Sequence, residues 1–141
     1  MVIGAVRQAI GGGLVLALAI GGAAGAHAAM LQGSEWKPLL IDGEPVPVET
    51  GAFVQFRSKG RLEGYSGCNR LVSEYETHGN QILIGPVAAT RRACVDTVMQ
   101  REAALATALE QARTWYRERT RLVLFDAGGV PILELRQTDW D

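Results

Sequence analysis

Histidine is scarce in this chain: two of its 141 residues, His27 and His78, are the whole supply. A Ser-His-Asp or Cys-His nucleophile system needs a histidine held by a third group. His27 lies in an apolar N-terminal stretch, and His78 stands beside Gly79 in what reads as a surface turn. Cysteine is equally sparse, with two residues at positions 68 and 94 and no C-x-x-C pair, so a zinc-type site lacks ligands. No glycine-rich phosphate cradle is present. Neither sign of charge prevails, with 14 basic against 15 acidic residues, and a nucleic-acid binder would instead show a net basic face. Long apolar runs are missing as well. The longest, Ile10 to Ile20, is short of the ~20 residues that a membrane-spanning helix needs. Glycines at 11 to 13, 21 and 22 weaken it further.

That same run fits a different purpose. Arg7 gives a basic start, Ile10 to Ile20 an apolar middle, and Ala26-His27-Ala28 an A-x-A boundary, the three parts of a cleavable signal peptide. The reading divides the chain into a leader over 1–28, cut before Ala29, and a single domain over 29–141, one core's worth of chain. Arg7 is the only charged residue of the leader, so its loss moves the formal net charge of −1 further to the acidic side. No cysteine precedes Cys68, so lipid attachment at a lipobox is not available. The expected location is periplasmic or secreted, with membrane contact only through the uncleaved leader. In such a compartment an even cysteine count reads first as a disulfide. Closing the chain between positions 68 and 94 would stabilise it by roughly 3.5 kcal/mol in the chain-entropy treatment.

Along the mature chain, Trp36 to Ile41 reads as a strand ended by Asp42-Gly43. Pro45 and Pro47 then restrict the next segment to a loop or an edge. Ala52, Val54 and Phe56 alternate with polar residues at the period of a half-buried strand. Arg61 to Ser66, Leu71 to Glu76 and Gln81 to Ile84 continue the sheet, with Gly64 and Gly67 marking a bulge or a close backbone approach. The period then changes to 3.6: Val95, Val98, Met99, Leu105, Leu109 and Ala112 predict a helix over about Asp96 to Gln111, with Asp96 as its N-cap. Thr114 to Arg117, Leu122 to Phe125 and Val130 to Leu135 return to strand. The fold class is α+β, a small curled, barrel-like antiparallel sheet packed on one helix.

Gly64-Tyr65-Ser66-Gly67-Cys68-Asn69-Arg70, then Tyr75, then Leu83-Ile84-Gly85-Pro86, then Thr90-Arg91-Arg92-Ala93-Cys94 resembles the META domain family in order and spacing. That family includes the heat-shock-associated envelope protein HslJ. The likeness runs from near Trp36 to near Leu135. It implies a β-rich domain with the two motif cysteines paired, and Gly64, Gly67, Asn69, Tyr75, Gly85 and Thr90 as structural motif positions. The chain departs from the family at Glu118-Arg119-Thr120, where Gly, Asn or Asp usually makes the turn. Read on their own chemistry, the glycines let the backbone pass close to the helix start, and the Asn69 side chain satisfies neighbouring peptide groups in a turn.

No catalytic residue, metal or cofactor is expected. Glu74 and Glu76 share one face of a strand, where a solvated wall is the ordinary outcome. Arg113, Arg117, Arg119 and Arg121, interleaved with Trp115 and Tyr116, form either a charged edge hairpin that discourages sheet-to-sheet association or a patch for an anionic partner. The function expected is that of an exported, non-catalytic accessory or stress-response protein binding an envelope partner. A carrier of a small apolar ligand is the alternative, and an unrecognised hydrolase stands behind both. A core filled by side chains favours the first, an internal cavity the second, and a deep polar cleft around His78 the third.

Overall fold

The structure, a computed structural model, describes residues 31–139; the leader and its expected cut lie outside these described residues. In chain order the elements are β1 (Glu35–Ile41), β2 (Glu44–Pro45), β3 (Phe53–Phe56), β4 (Arg61–Tyr65) and β5 (Arg70–His78). They continue with β6 (Gln81–Ile84), β7 (Ala88–Ala89), α1 (Asp96–Gln111), β8 (Thr114–Glu118), β9 (Arg121–Phe125) and β10 (Pro131–Gln137).

The sheet does more than curl. Eight strands follow one another in the order β1-β3-β4-β5-β6-β8-β9-β10, and β10 pairs back onto β1, so the antiparallel sheet closes into a barrel. The closing ladder runs from Trp36 opposite Gln137 to Ile41 opposite Leu133. Its register slips between Pro38 and Leu40, where proline has no N–H to give and a bulge absorbs the defect. The two-residue strands are outside this ring, β2 on β1 and β7 on β5. The weakest join is between β6 and β8, a single residue pair, Gln81 with Thr114. Two backbone hydrogen bonds of 2.9 Å flank it, from Ile82 N–H to the Arg113 carbonyl and from Trp115 N–H to the Asn80 carbonyl.

The long connection that this join tolerates contains α1, with the bounds that hydrophobic spacing predicts. Leu105, Ala108 and Leu109 are its buried face, and Ala112 just beyond it is buried too. They meet Trp36, Phe56, Leu62, Leu71, Leu122, Leu124 and Leu135 in one continuous core. An eight-stranded barrel has an interior about wide enough for side chains to fill, and these fill it. Val98 lies only partly buried and Val95 is exposed, because Val95 precedes the helix and caps it in an extended conformation. The cap differs from expectation: Val95 holds the N-cap position, with no side-chain hydrogen bond, and Asp96 is the first helical residue. There its carboxylate still favours the positive end of the helix dipole. Two N–H groups, those of Val98 and Met99, donate to the Val95 carbonyl.

Leu31 closes the interior from the N-terminal side. It is fully buried, its carbonyl accepts from the Trp36 indole, and Gly33 N–H donates to the Phe56 carbonyl at 3.1 Å.

Candidate functional site: the cysteine–asparagine clamp and the outer groove

The motif residues gather where the β4–β5 turn meets the segment leading into α1. Gly64 is opposite Val54 in the ladder, and a Cβ there would meet the Phe53 carbonyl oxygen at 2.7 Å, closer than atoms allow. Only glycine fits this approach. Gly67 turns the chain with φ +100°. The turn is held by Ser66, whose N–H donates to the Asn69 carbonyl at 2.9 Å and whose hydroxyl oxygen accepts from the N–H groups of Cys68 and Asn69.

Cys68 and Cys94 are joined in a disulfide with Cα atoms 6.3 Å apart, within the span such bonds take. Asn69 adds three hydrogen bonds across the same junction. Its Oδ1 accepts from Arg92 N–H at 2.7 Å and from the Thr90 hydroxyl at 3.0 Å, while its Nδ2 donates to the Arg92 carbonyl at 3.1 Å. Thr90 also accepts from Arg70 N–H at 3.1 Å. Asn69 is 1% exposed, so its amide has been spent on backbone and is not presented to a ligand. Three side chains that sequence reasoning missed, those of Ser66, Glu102 and Glu110, complete the clamp. The Ser66 hydroxyl donates to the Glu102 carboxylate at 2.7 Å, and Val87 N–H donates to Glu110 at 2.7 Å, which ties both halves of the helix to the wall. Ser66 sits inside the motif and could have been flagged; nothing local marks a helical glutamate for a partner 36 residues away.

Tyr75 and Gly85 belong to the wall. The Tyr75 ring is buried edge-on against Phe56 with centroids 5.0 Å apart, and its hydroxyl donates to the Arg57 carbonyl at 2.8 Å. Burial raises its pKa, and a hydrogen bond with Gln32 opposes the rise. Gly85 N–H donates to the Glu74 carbonyl at 2.9 Å.

The four arginines do not form one face. Arg113 turns back to cap the helix, donating to the carbonyls of Glu110 and Ala112 at 2.9 and 2.7 Å. Arg117 lies 5.0 Å over the Trp36 ring and donates to the Arg119 carbonyl and to Gln137. Arg121 pairs with Glu134, and that hydrogen bond raises its pKa. Arg119 occupies the hairpin tip with φ 56°, a left-handed conformation more usual for the Gly, Asn or Asp found at this turn in the family. Arg113 and Arg119 flank opposite ends of β8, a separation of about 20 Å along an extended strand.

His78 ends β5 and is exposed. The depression it borders, about 420 Å³, is lined also by Glu76, Gln81, Ile82, Leu83, Arg113, Thr114 and Ala127. A second depression of about 290 Å³ continues it past Glu76 and Leu83 to Glu74 and Gly85. Together they form a shallow groove on the outside of the β5–β6 hairpin. Among the described residues no three His, Cys, Asp or Glu side chains converge to hold a metal ion. No described helix is long and apolar enough to cross a membrane.

Residues 29–139 match the META domain, and the chain belongs to that family. Its fold is similar to that of a protein from Burkholderia xenovorans solved by NMR, with a TM-score of 0.64 at 21% identity over 82% of this chain and 88% of that one. A second NMR structure aligns with a TM-score of 0.62 at 19% identity, covering 77% and 92% of the two chains. The crystal structure of a DUF4847 family protein from Bacteroides vulgatus aligns at 0.59 and 13% identity, covering 80% and 98%. No curated protein is significantly similar to this chain.

Proposed function

We propose that this chain is an exported, HslJ-like META-domain protein that works in the bacterial envelope without catalysis, by binding a partner protein. The observation that carries the reading is the filled interior. Trp36, Phe56, Leu62, Leu122, Leu124 and Leu135, each at most 1% exposed, occupy the space that a carrier would leave for its ligand. Recognition is thereby left to the outer surface. The motif supports the same view, because Cys68, Cys94, Asn69 and Thr90 are engaged with one another and with backbone. The groove beside His78 is shallow, and a disulfide suits an oxidising compartment.

Native mass spectrometry of protein recovered from the periplasm of its own host tests the proposal. A mass starting at or near Ala29, with a second polypeptide bound in stoichiometric amount, is the expected result. A mass increment of lipid size on an otherwise lone chain would replace the reading with that of a carrier, and an intact Met1 chain in the membrane fraction would refute export.

A further inference from the structure

The residue with which the described chain begins is also among its most deeply buried. Leu31 has no exposed surface and belongs to the core cluster. The main chain around it is fixed at three successive residues. The Leu31 carbonyl accepts from the Trp36 indole at 3.5 Å, Gln32 forms a parallel bridge with Phe56, and Gly33 N–H donates to the Phe56 carbonyl at 3.1 Å.

This anchorage begins close to the expected cut. Ala29 and Met30 alone separate Leu31 from the Ala28–Ala29 bond, and two residues of fully extended chain reach about 7 Å. A peptidase takes its substrate as an extended strand with residues on both sides of the bond in its cleft, and it cuts a folded substrate only through the fraction that is locally open. With Leu31 docked, so short a reach cannot seat the bond in a cleft without driving the barrel wall into the enzyme. Withdrawing residues 31–34 lengthens the reach to about 20 Å, since the next fixed element, β1, starts at Glu35.

We propose that Leu31 is a plug that gates removal of the leader: the bond is hydrolysed while residues 31–33 are undocked, and their docking closes the site to the peptidase. The inference rests on the export reading proposed above and adds the order of its steps. Hydrolysis adds one water across the peptide bond, leaving a carboxylate on Ala28 and an amine on Ala29. The segment freed of its leader then docks and completes the core. Burial of one leucine side chain lowers the undocked fraction about ten- to a hundredfold, and the rate of cutting falls with that fraction.

The test uses the full-length chain, refolded in detergent micelles with its disulfide formed, and a purified bacterial leader peptidase. The same chain diluted from urea at the moment of mixing is the comparison. The folded chain should be cut at least about tenfold more slowly. Six residues of Gly and Ser inserted between Met30 and Leu31 lengthen the reach without touching the core, and should bring the folded chain to the rate of the freshly diluted one. Leu31→Ser should speed cutting of the folded chain as well; if that variant does not fold, the spacer variant decides alone. Equal rates for folded and freshly diluted wild type, a folded spacer variant as slow as wild type, or indifference of a folded Leu31→Ser chain overturns the proposal. Failure of the enzyme to cut any of these chains at or near Ala28 sinks the export reading together with the gate, whereas rapid cutting of all of them sinks the gate and leaves export standing.

Discussion

Replacing both cysteines, as Cys68→Ser with Cys94→Ser, removes the one covalent tie between the β4–β5 turn and the start of α1. The two positions are 26 residues apart, for which the chain-entropy treatment gives a loss of roughly 3.5 kcal/mol. That is a large share of the 5–15 kcal/mol that holds a domain together. The native state should nevertheless persist. Asn69 still grips Arg92 and Thr90, Glu102 and Glu110 still bind the wall, and Leu105, Ala108 and Leu109 remain in the core. With the folded contacts kept, the loss falls on the unfolded chain, which gains freedom. Urea denaturation should therefore show a drop of about 2 to 4 kcal/mol with unchanged far-ultraviolet circular dichroism. Refolding should slow while unfolding keeps nearly its original rate. A drop below about 1 kcal/mol would refute the reasoning, and a drop carried mainly by faster unfolding would place the closing of this loop after the transition state.

Three further changes probe other parts of the fold. Leu105→Ala should cost about 2 to 5 kcal/mol in the same denaturation assay, since Leu105 is 1% exposed; a cost near zero would mean that the helix presents another face. Gly64→Ala should cost about 1 to 3 kcal/mol, because the new methyl meets the backbone oxygen of Phe53 and not a movable side chain. Gly85→Ala, where the nearest atom is 3.7 Å away, should stay within about 0.5 kcal/mol; equal losses at both glycines would undo the close-approach argument. Tyr75 predicts an alkaline effect. Burial raises its folded pKa above the usual 10.0, so its contribution is complete below that pH and is lost as pH rises through the folded value. Tyr75→Phe should flatten the stability profile in that range, and superimposable wild-type and variant profiles would contradict it.

What the sequence made legible was local. The bounds of α1 follow from the 3.6-residue spacing of Leu105, Leu109 and Ala112, and β6 follows from the alternation around Ile82 and Ile84. The even cysteine count, together with the pairing that the resemblance to the META domain family implies, led to the Cys68–Cys94 bond. Contacts between distant positions were not legible. Pairing of Trp36 with Gln137 leaves no trace in either segment, so the sequence indicated a curled sheet where a closed barrel exists. Asp96 was expected at the N-cap on residue type, but the chain enters the helix one residue earlier through Val95. Ala108 is not among the apolar positions that predict the helix, and its burial depends on which wall the helix meets. The arginines looked like a cluster because residues at alternate positions share a strand face. Where each guanidinium goes was decided by Trp36, Gln137, Glu134 and the helix carbonyls, none adjacent in sequence. The groove was invisible for the same reason, since it takes shape only where Arg113, Thr114 and Ala127 come alongside Glu76 and Leu83.

The ladder between the first and last strands of the ring has a consequence for the order of events during synthesis. A chain emerging N-terminus first presents β1 early, yet one partner of that strand, β10, is Pro131–Gln137. Until those residues arrive, β1 keeps an unpaired edge, the kind of surface on which chains associate wrongly. Contacts so far apart in sequence also form slowly. The domain is therefore poorly suited to folding piecemeal and well suited to remaining unfolded until its last strand is free. Truncation inside β10 would leave an open sheet in place of a smaller barrel.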